Sequence, residues 1–472
     1  MKKIIAVFIL SALLLMLTFS CSNTNGERFD LDLEENSNFG SDLGGLTFNF
    51  VMMQDYFMEG DSLLGFMGNT VFSDLAKQRI EDISTGLNVD FQIKYVNDAA
   101  QEALMAAQAG ISTIDAIQDE SFDLIYVIRA GALANLANLS PESLNYRDEA
   151  KWGTPDMLLS LMWNGGLYGV LPAAYPMLIY NSCGGLLVID MNKVRTLGLG
   201  DPREFYENGT WTWDTFKQVL VDYTHKNNSG ETVYGLLTAD SWFIRSFVIA
   251  NGQKFYEYDE NKNSVTFGYF TDKGYEAQVA AQDILYGTYR ENVSIVNPHD
   301  TPQEFYDGHG VMANLEAFQI YNTTNSVAYM LDDFAVLPFP TGPQAEPKLI
   351  TSPYQSQDFS TCIPITAKDY DFSAIVIDAL YEPFPGFETE ESMLDYFATY
   401  YFTTIQDAEI FMACTRNATY NDNRDSIATI SGAVSANSSV TAVLDSSKDR
   451  YATLIEQYIL PTISSIPVLY GD

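Results

Sequence analysis

The most constraining feature of the sequence is a repeated switch between strand-like and helix-like apolar spacing from Leu46 to Ile128. Leu46–Met53 is an apolar, β-prone run. Phe72, Ala76, Ile80 and Ile83 then recur at helical spacing up to Gly86, and Val89–Val96 alternates as a strand does. Asp98 opens a second helical stretch through Ala100, Leu104 and Ala107 to Gly110, and Phe122–Ile128 (FDLIYVI) is a continuous apolar run expected to form a buried strand. A β-α-β-α-β order joins parallel neighbours through crossovers and predicts an α/β body whose sheet is covered by helices. At 472 residues the chain has room for two or three such units. A second α/β region is expected from a strand at Leu186–Met191, a helix from the cap Thr212 to about Tyr223, a hairpin over Phe255–Phe267 and a helix from Gly274 to Leu285. Further helices are expected over Ala374–Leu380, Ser392–Ile410 and Tyr451–Leu460, the last ending before Pro461.

The start of the chain carries an address. Lys2 and Lys3 precede an apolar run of sixteen residues, Ile4–Phe19, shorter than the roughly twenty that cross a bilayer as a helix. Residues 1–20 are therefore expected to be a signal peptide. Leu17-Thr18-Phe19-Ser20-Cys21 resembles a bacterial lipobox, which implies lipidation at Cys21, although Thr18 and Phe19 depart from the usual pattern. Residues 21–44 are polar, acidic and poor in aliphatics, the composition of a solvated tether. With Cys21 lipidated, Cys183, Cys362 and Cys414 remain, enough for one disulfide at most.

The formal net charge is −37, a field that repels nucleic acid and other polyanions and leaves neutral or cationic partners. No phosphate-binding loop, dinucleotide fingerprint, nucleophile elbow or H-E-x-x-H motif occurs, and His225, His299 and His309 are scattered. Asp259-x-Asn261-x-Asn263 opens like a calcium loop, but Ser264 replaces the sixth-position Gly and Phe270 the twelfth-position Glu, so it reads as a polar hairpin tip. No metal and no cofactor are expected. Trp211 and Trp213 read as packing residues at a helix start; Trp242, in Asp240-Ser241-Trp242-Phe243, is either core or a stacking platform.

Five segments together resemble the extracellular solute-binding proteins of bacterial ABC importers, in the oligosaccharide branch that includes maltodextrin-binding proteins. Gly166-Leu167-Tyr168-Gly169-Val170-Leu171-Pro172 is similar to the segment leading into the first interlobe crossing. Leu186–Val194 with Leu197-Gly198 follows, then Asn208-Gly209-Thr210-Trp211-Thr212-Trp213-Asp214-Thr215-Phe216, the most specific block. Phe305–Met312 and Asp333–Pro343 resemble two later segments; His309-Gly310 and the Ser182–Gly185 stretch depart from the pattern.

The resemblance implies a two-lobed type II fold with discontinuous lobes. Lobe one would comprise 45–173 plus 360–428 and lobe two 177–350 plus 430–472, with hinges near 171–177, 351–359 and 425–435. It implies a monomer that is not an enzyme, held at the outer face of the bacterial membrane. Such a protein captures a sugar or oligosaccharide between the lobes and delivers it to permease subunits. The ligand-binding residues carried over are Asp55, Arg129 and Tyr175 with Trp242, Phe318 and Tyr354. A peptide or polyamine ligand, a secreted glycan-degrading enzyme and a helical surface glycan-binding lipoprotein are the alternatives, although the early β-α-β-α-β order argues against the last. With 62 acidic residues, a catalytic carboxylate pair is not singled out by sequence.

Overall fold

A computed structural model describes residues 41–54, 63–66, 70–175, 183–321, 325–354, 359–420, 430 and 434–470. Asp55, Cys21 and most of the expected third hinge lie outside these residues. The first sheet contains β1 (Leu46–Met53), β2 (Val89–Val96), β3 (Ala116–Glu120) and a late strand, Phe359–Cys362. In space the late strand lies beside β3, then come β1 and β2. β1 pairs in parallel with both β2 and β3, while the late strand returns antiparallel with Cys362 opposite Ile117. Phe48, Phe50 and Met52 of β1 are buried.

Helix α1 (Val71–Gly86) begins at a capping box made by Thr70 and Ser73; α2 (Ala99–Ala109) is capped by Asp98 and ends at Gly110, whose φ is +64°. Both helices match expectation. The run FDLIYVI does not form a strand. It belongs to α3 (Ser121–Arg129), which buries Leu124, Ile125, Val127 and Ile128 and leaves Tyr126 exposed. The strand is the preceding AIQDE, whose buried polar groups conceal it. Gln118 Nε2 donates to the Tyr381 hydroxyl at 2.7 Å, and Asp119 accepts the Ala100 N–H at 2.8 Å. A short apolar run fits a strand and a buried helix equally well.

The second sheet contains β4 (Leu186–Asp190), β5 (Thr232–Thr238), β6 (Val293–Ile295), β7 (Gly310–Leu315) and β8 (Phe334–Leu337), in the order β6-β5-β7-β4-β8. β5, β6 and β7 are mutually parallel, and β4 runs antiparallel to both β7 and β8. Trp211 and Trp213 are core residues. The Trp211 indole donates to the Pro338 carbonyl at 2.9 Å, and Trp213 stacks on Phe247 at 5.1 Å. Thr212 caps the helix Trp213–Tyr223 as expected, and does so in a capping box with Thr215.

Two segments run alongside each other where the chain passes between the sheets. Val170 bridges Thr361 and Cys183 bridges Tyr354, both antiparallel. Ser352–Pro353 pairs in addition with Ala418–Thr419. Gly185, at φ +69°, packs so closely that an added Cβ would lie 2.3 Å from Ser246 Oγ and 3.0 Å from Pro353 Cδ, so no other residue fits there.

Residues Ser392–Ile410 form parts of two helices rather than one, Glu390–Tyr400 and Ile405–Arg416, with Thr404 capping the second. Sequence resemblance assigns this stretch to lobe one; Tyr396 does pack on Phe72 of α1 at 5.1 Å, but other residues of the stretch contact the second lobe. Thr403 Oγ1 donates to the Phe334 carbonyl at 2.9 Å, and Tyr321 meets Phe397 at 5.4 Å and Phe411 at 5.5 Å. Asp407 is wholly buried there, accepting the Val336 N–H at 2.9 Å and pairing with Arg203 at 3.1 Å. Removing one partner leaves the other buried without its counter-charge. Asp407→Ala is expected to lower unfolding stability by about 3 kcal/mol, measured by urea denaturation.

Candidate functional site

In a parallel sheet, strands that run in the same direction deliver their C-terminal ends to one edge. β5 and β7 are such neighbours, with Leu237 opposite Ala313. Trp242 and Phe318 each lie five residues beyond that pair in sequence, past the strand ends, so both follow the strands onto the same edge of the sheet. Each sits at the start of a helix, α4 (Asp240–Ala250) and α5 (Ala317–Tyr321), and each is half-buried. Asn314 Nδ2 donates to Thr238 Oγ1 at 3.1 Å, tying the two strand ends together. The Val296 N–H donates to the Thr238 carbonyl at 2.9 Å, which adds the end of β6.

A carboxylate lies two residues before Trp242. Asp240 accepts the Tyr286 hydroxyl at 2.7 Å on one oxygen and the Ser241 N–H at 2.7 Å on the other. Desolvation, followed by the hydrogen bond and charge of Asp240, raises the Tyr286 hydroxyl well above the usual phenol range, so it stays a donor. Two further ionisable groups are buried, Arg245 in α4 and Glu316 directly after β7. Burial pushes Glu316 up to about 8, opposed by the positive charge of Arg245, and burial lowers Arg245. Sequence reasoning does not single out Asp240, Tyr286, Arg245 or Glu316. Asp240 is visible there only as the neighbour of Trp242, and the buried pair has no spacing signature.

The first sheet has an edge of the same kind. β1 and β3 are parallel and end at Met53 and Glu120. The Gln54 N–H donates to the Val96 carbonyl at 2.7 Å, which closes this edge around the end of β2. Asp55 is the next residue but lies outside the described residues. Asp119 at this edge is pushed up to about 6 by burial, partly offset by its bonds from the Ala100 and Glu120 N–H groups.

The other carried-over residues lie elsewhere. Arg129 is not on a loop after a strand. It closes α3, a helix that starts at the strand end and carries it about 13 Å away along its axis. Its guanidinium lies 4.9 Å from the Trp163 ring and 4.4 Å from that of Tyr458. Tyr175 is wholly buried, its hydroxyl donating to the Leu380 carbonyl and its ring 4.3 Å from Phe384. Tyr354 is wholly buried in the crossing, its N–H donating to the Thr419 carbonyl at 2.9 Å. Neither tyrosine lies open to a ligand in this arrangement. The structure thus brings together Trp242 and Phe318 from the expected set and sets Arg129, Tyr175 and Tyr354 apart.

The Asp259–Asn263 tip is a hairpin turn closed by Lys262 on Asp259 at 2.6 Å, and no group of three metal-binding side chains occurs among the described residues. No helix among them is long and apolar enough to cross a membrane.

The sequence profile of the family described as "Bacterial extracellular solute-binding protein" matches residues 78–370, more than half of the chain. The chain belongs to this family. It is thus an extracytoplasmic protein of a family of binders. No curated protein sequence matches it. Its α/β fold is that of two-lobed solute-binding proteins of known structure. The GacH receptor of Streptomyces glaucescens, described unliganded and with acarbose, has a TM-score of 0.56 at 15% identity over 88% of this chain and 99% of its own. A sugar transporter protein of Rhizobium etli in an open conformation has a TM-score of 0.56 at 14% identity, covering 85% and 98%. Maltose-bound MalE3 of T. maritima has a TM-score of 0.52 at 13% identity, covering 87% and 100%.

Glu316 makes this solute-binding protein sensitive to pH in a defined direction. The unfolded carboxyl releases its proton near 4.5 and the folded one near 8, so between these values the folded state holds the extra proton and stability falls as pH rises. Asp119 adds the same sign between 3.8 and about 6. Glu316→Gln is expected to flatten the decline in melting temperature between pH 6 and pH 8, followed by calorimetry at both values.

Proposed function

We propose that the chain is a sugar- or oligosaccharide-binding subunit of an ABC importer, anchored through lipid on Cys21, which closes its two lobes around a neutral ligand and presents it to permease subunits. The observation that carries this reading is the pair of half-buried rings, Trp242 and Phe318, in the helix starts that follow two adjacent parallel strands, with the carboxylate of Asp240 two residues before Trp242. A sugar offers C–H faces to flat rings and hydroxyls to charged or amide groups at its rim. A hydrogen bond to a charged group contributes about 1.5–3 kcal/mol and a neutral one about 0.5–1.5. A few such bonds with ring burial reach the roughly 8 kcal/mol of a micromolar complex after association costs. Proteins of similar fold are described with acarbose and with maltose, which supports the same ligand class.

Asp55 is proposed for the opposite wall, since it lies two residues beyond the C-terminal end of β1, a strand parallel to its neighbours. Closure then completes the contacts, because the two walls belong to different lobes. The lobes are proposed to hinge at the crossings near 171–177 and 351–359, beside the bridges Val170–Thr361 and Cys183–Tyr354, and near 425–435. Arg129, Tyr175 and Tyr354 are left out of the proposed contact set.

A thermal-shift screen against neutral oligosaccharides, polyamines and short peptides tests the ligand class. Stabilisation by an oligosaccharide alone supports the proposal. A shift with a polyamine alone transfers it to a cation, which the net charge of −37 suits, and hydrolysis of a bound glycan makes the chain an enzyme. Trp242→Ala is expected to weaken oligosaccharide binding at least severalfold, read by calorimetry, while the unliganded melting temperature stays nearly unchanged. An equal loss of both returns Trp242 to the core. Cys21→Ser is expected to move the protein from the membrane fraction to the medium in a bacterial host, scored by fractionation and blotting.

A further inference from the structure

The C-terminal helix does not stop at Pro461. One helical segment runs from Val440 to Ile463 and passes from the second lobe to the first. On the second lobe, Tyr451 stacks on Phe267 at 5.2 Å and lies 5.9 Å from Phe270, and Thr441 Oγ1 meets the Tyr275 hydroxyl at 3.0 Å. On the first lobe, the Asn164 N–H donates to the Pro461 carbonyl at 3.0 Å and the Gly165 N–H to Ser465 Oγ at 2.7 Å. The Arg129 guanidinium joins the same anchor, held between Trp163 of the short hairpin and Tyr458 of the helix. The stretch Ile455–Ile459, which separates the Tyr451 contacts from the Pro461 and Ser465 bonds and itself carries Tyr458, is a π turn.

Pro461 accounts for that turn. Its ring brings no N–H, and in a regular α-helix it would strike the carbonyl of Gln457. Widening the turn to i→i+5 bonding relieves the clash and keeps the helix continuous. The helix is therefore stiff on each lobe and soft between them. A hinge motion that changes the spacing of the two lobes must change the spacing of the two anchors, and the π turn is the place where the helix yields at least cost.

We propose, resting on the lobe closure inferred above, that this segment is a strap that limits how far the lobes of the unliganded protein swing. The π turn supplies its give, and Arg129 is a positioning residue that clasps it to the first lobe through Tyr458. This assigns a role to Arg129 that needs no contact with ligand. It also explains why a cation is held between two aromatic rings at the far end of α3, where such stacking fixes both rings relative to each other.

Electron-spin distance measurements on the full mature chain without ligand test the strap. Labels are attached at Lys77→Cys on the first lobe and Lys226→Cys on the second, both exposed, with Cys21→Ser as background. Arg129→Gln is expected to broaden the interlobe distance distribution and to speed amide exchange over Tyr458–Ile463 about fivefold. Deleting Gln457 together with Pro461→Ala removes the extra residue and the ring, restores a regular helix with both anchors in register, and is expected to narrow the distribution. Wild-type distributions in both variants, with helical content retained, overturn the proposal. Should the deletion variant not fold, Arg129→Gln decides alone, since a broadened distribution supports the strap and an unchanged one sinks it. Failure to find a sugar ligand overturns the functional reading but leaves these unliganded distances, and what they say about the strap, intact.

Discussion

Parallel pairing is the constraint on which the rest of the molecule depends. Parallel neighbours need a crossover between them, so strands that share a direction accumulate their C-terminal ends, and the loops that follow, on one side of the sheet. β1 with β3, and β5 with β7, obey this rule in the two lobes. Each lobe thereby acquires an edge where side chains are carried by rigid strands rather than by long loops. The antiparallel bridges at Val170 with Thr361 and at Cys183 with Tyr354 then tie the lobes together through two segments that run side by side. A site formed between such edges is built by the backbone before any functional side chain is chosen.

The wall that carries Trp242 shows how packing supports this economy. Its rings are half-exposed, but the layer below them is dense: Phe243 lies 4.5 Å from Phe247, which stacks in turn on Trp213. Ser246 closes back on the Trp242 carbonyl at 2.9 Å, and Gly185 lets the crossing strand approach within contact of the same helix turn. Rigidity below and exposure above is what a preorganised binding wall needs, because less ordering remains to be done when a ligand arrives.

Much of the fold is legible in the sequence because its signals are local. Capping by Asp98 and Thr212, the helix stop at Gly110 and the Asp259–Asn263 tip are written in a few adjacent residues each. Local signals mislead where tertiary contacts decide. FDLIYVI is apolar enough for a strand, but its neighbour AIQDE takes the sheet position by satisfying Gln118 and Asp119 with partners distant in sequence. The placement of Ile405–Arg416 depends on Arg203, some two hundred residues earlier. At the site, aromatic residues near strand ends are readable, whereas the expectation for Arg129 follows from the mistaken strand and fails with it, because a helix carries that residue away from the edge. Tyr175 and Tyr354 sit near the crossings as expected, yet location along the chain says nothing about which way a ring faces.

The cysteines have a consequence for life outside the cytoplasm. Cys183, Cys362 and Cys414 are all buried and unbridged, and burial drives each thiol upward, Cys183 to about 12. Only the thiolate attacks disulfides, and its population in such surroundings is negligible near neutrality. In the folded protein these three thiols are therefore chemically silent in an oxidising milieu and do not exchange with neighbouring exported chains.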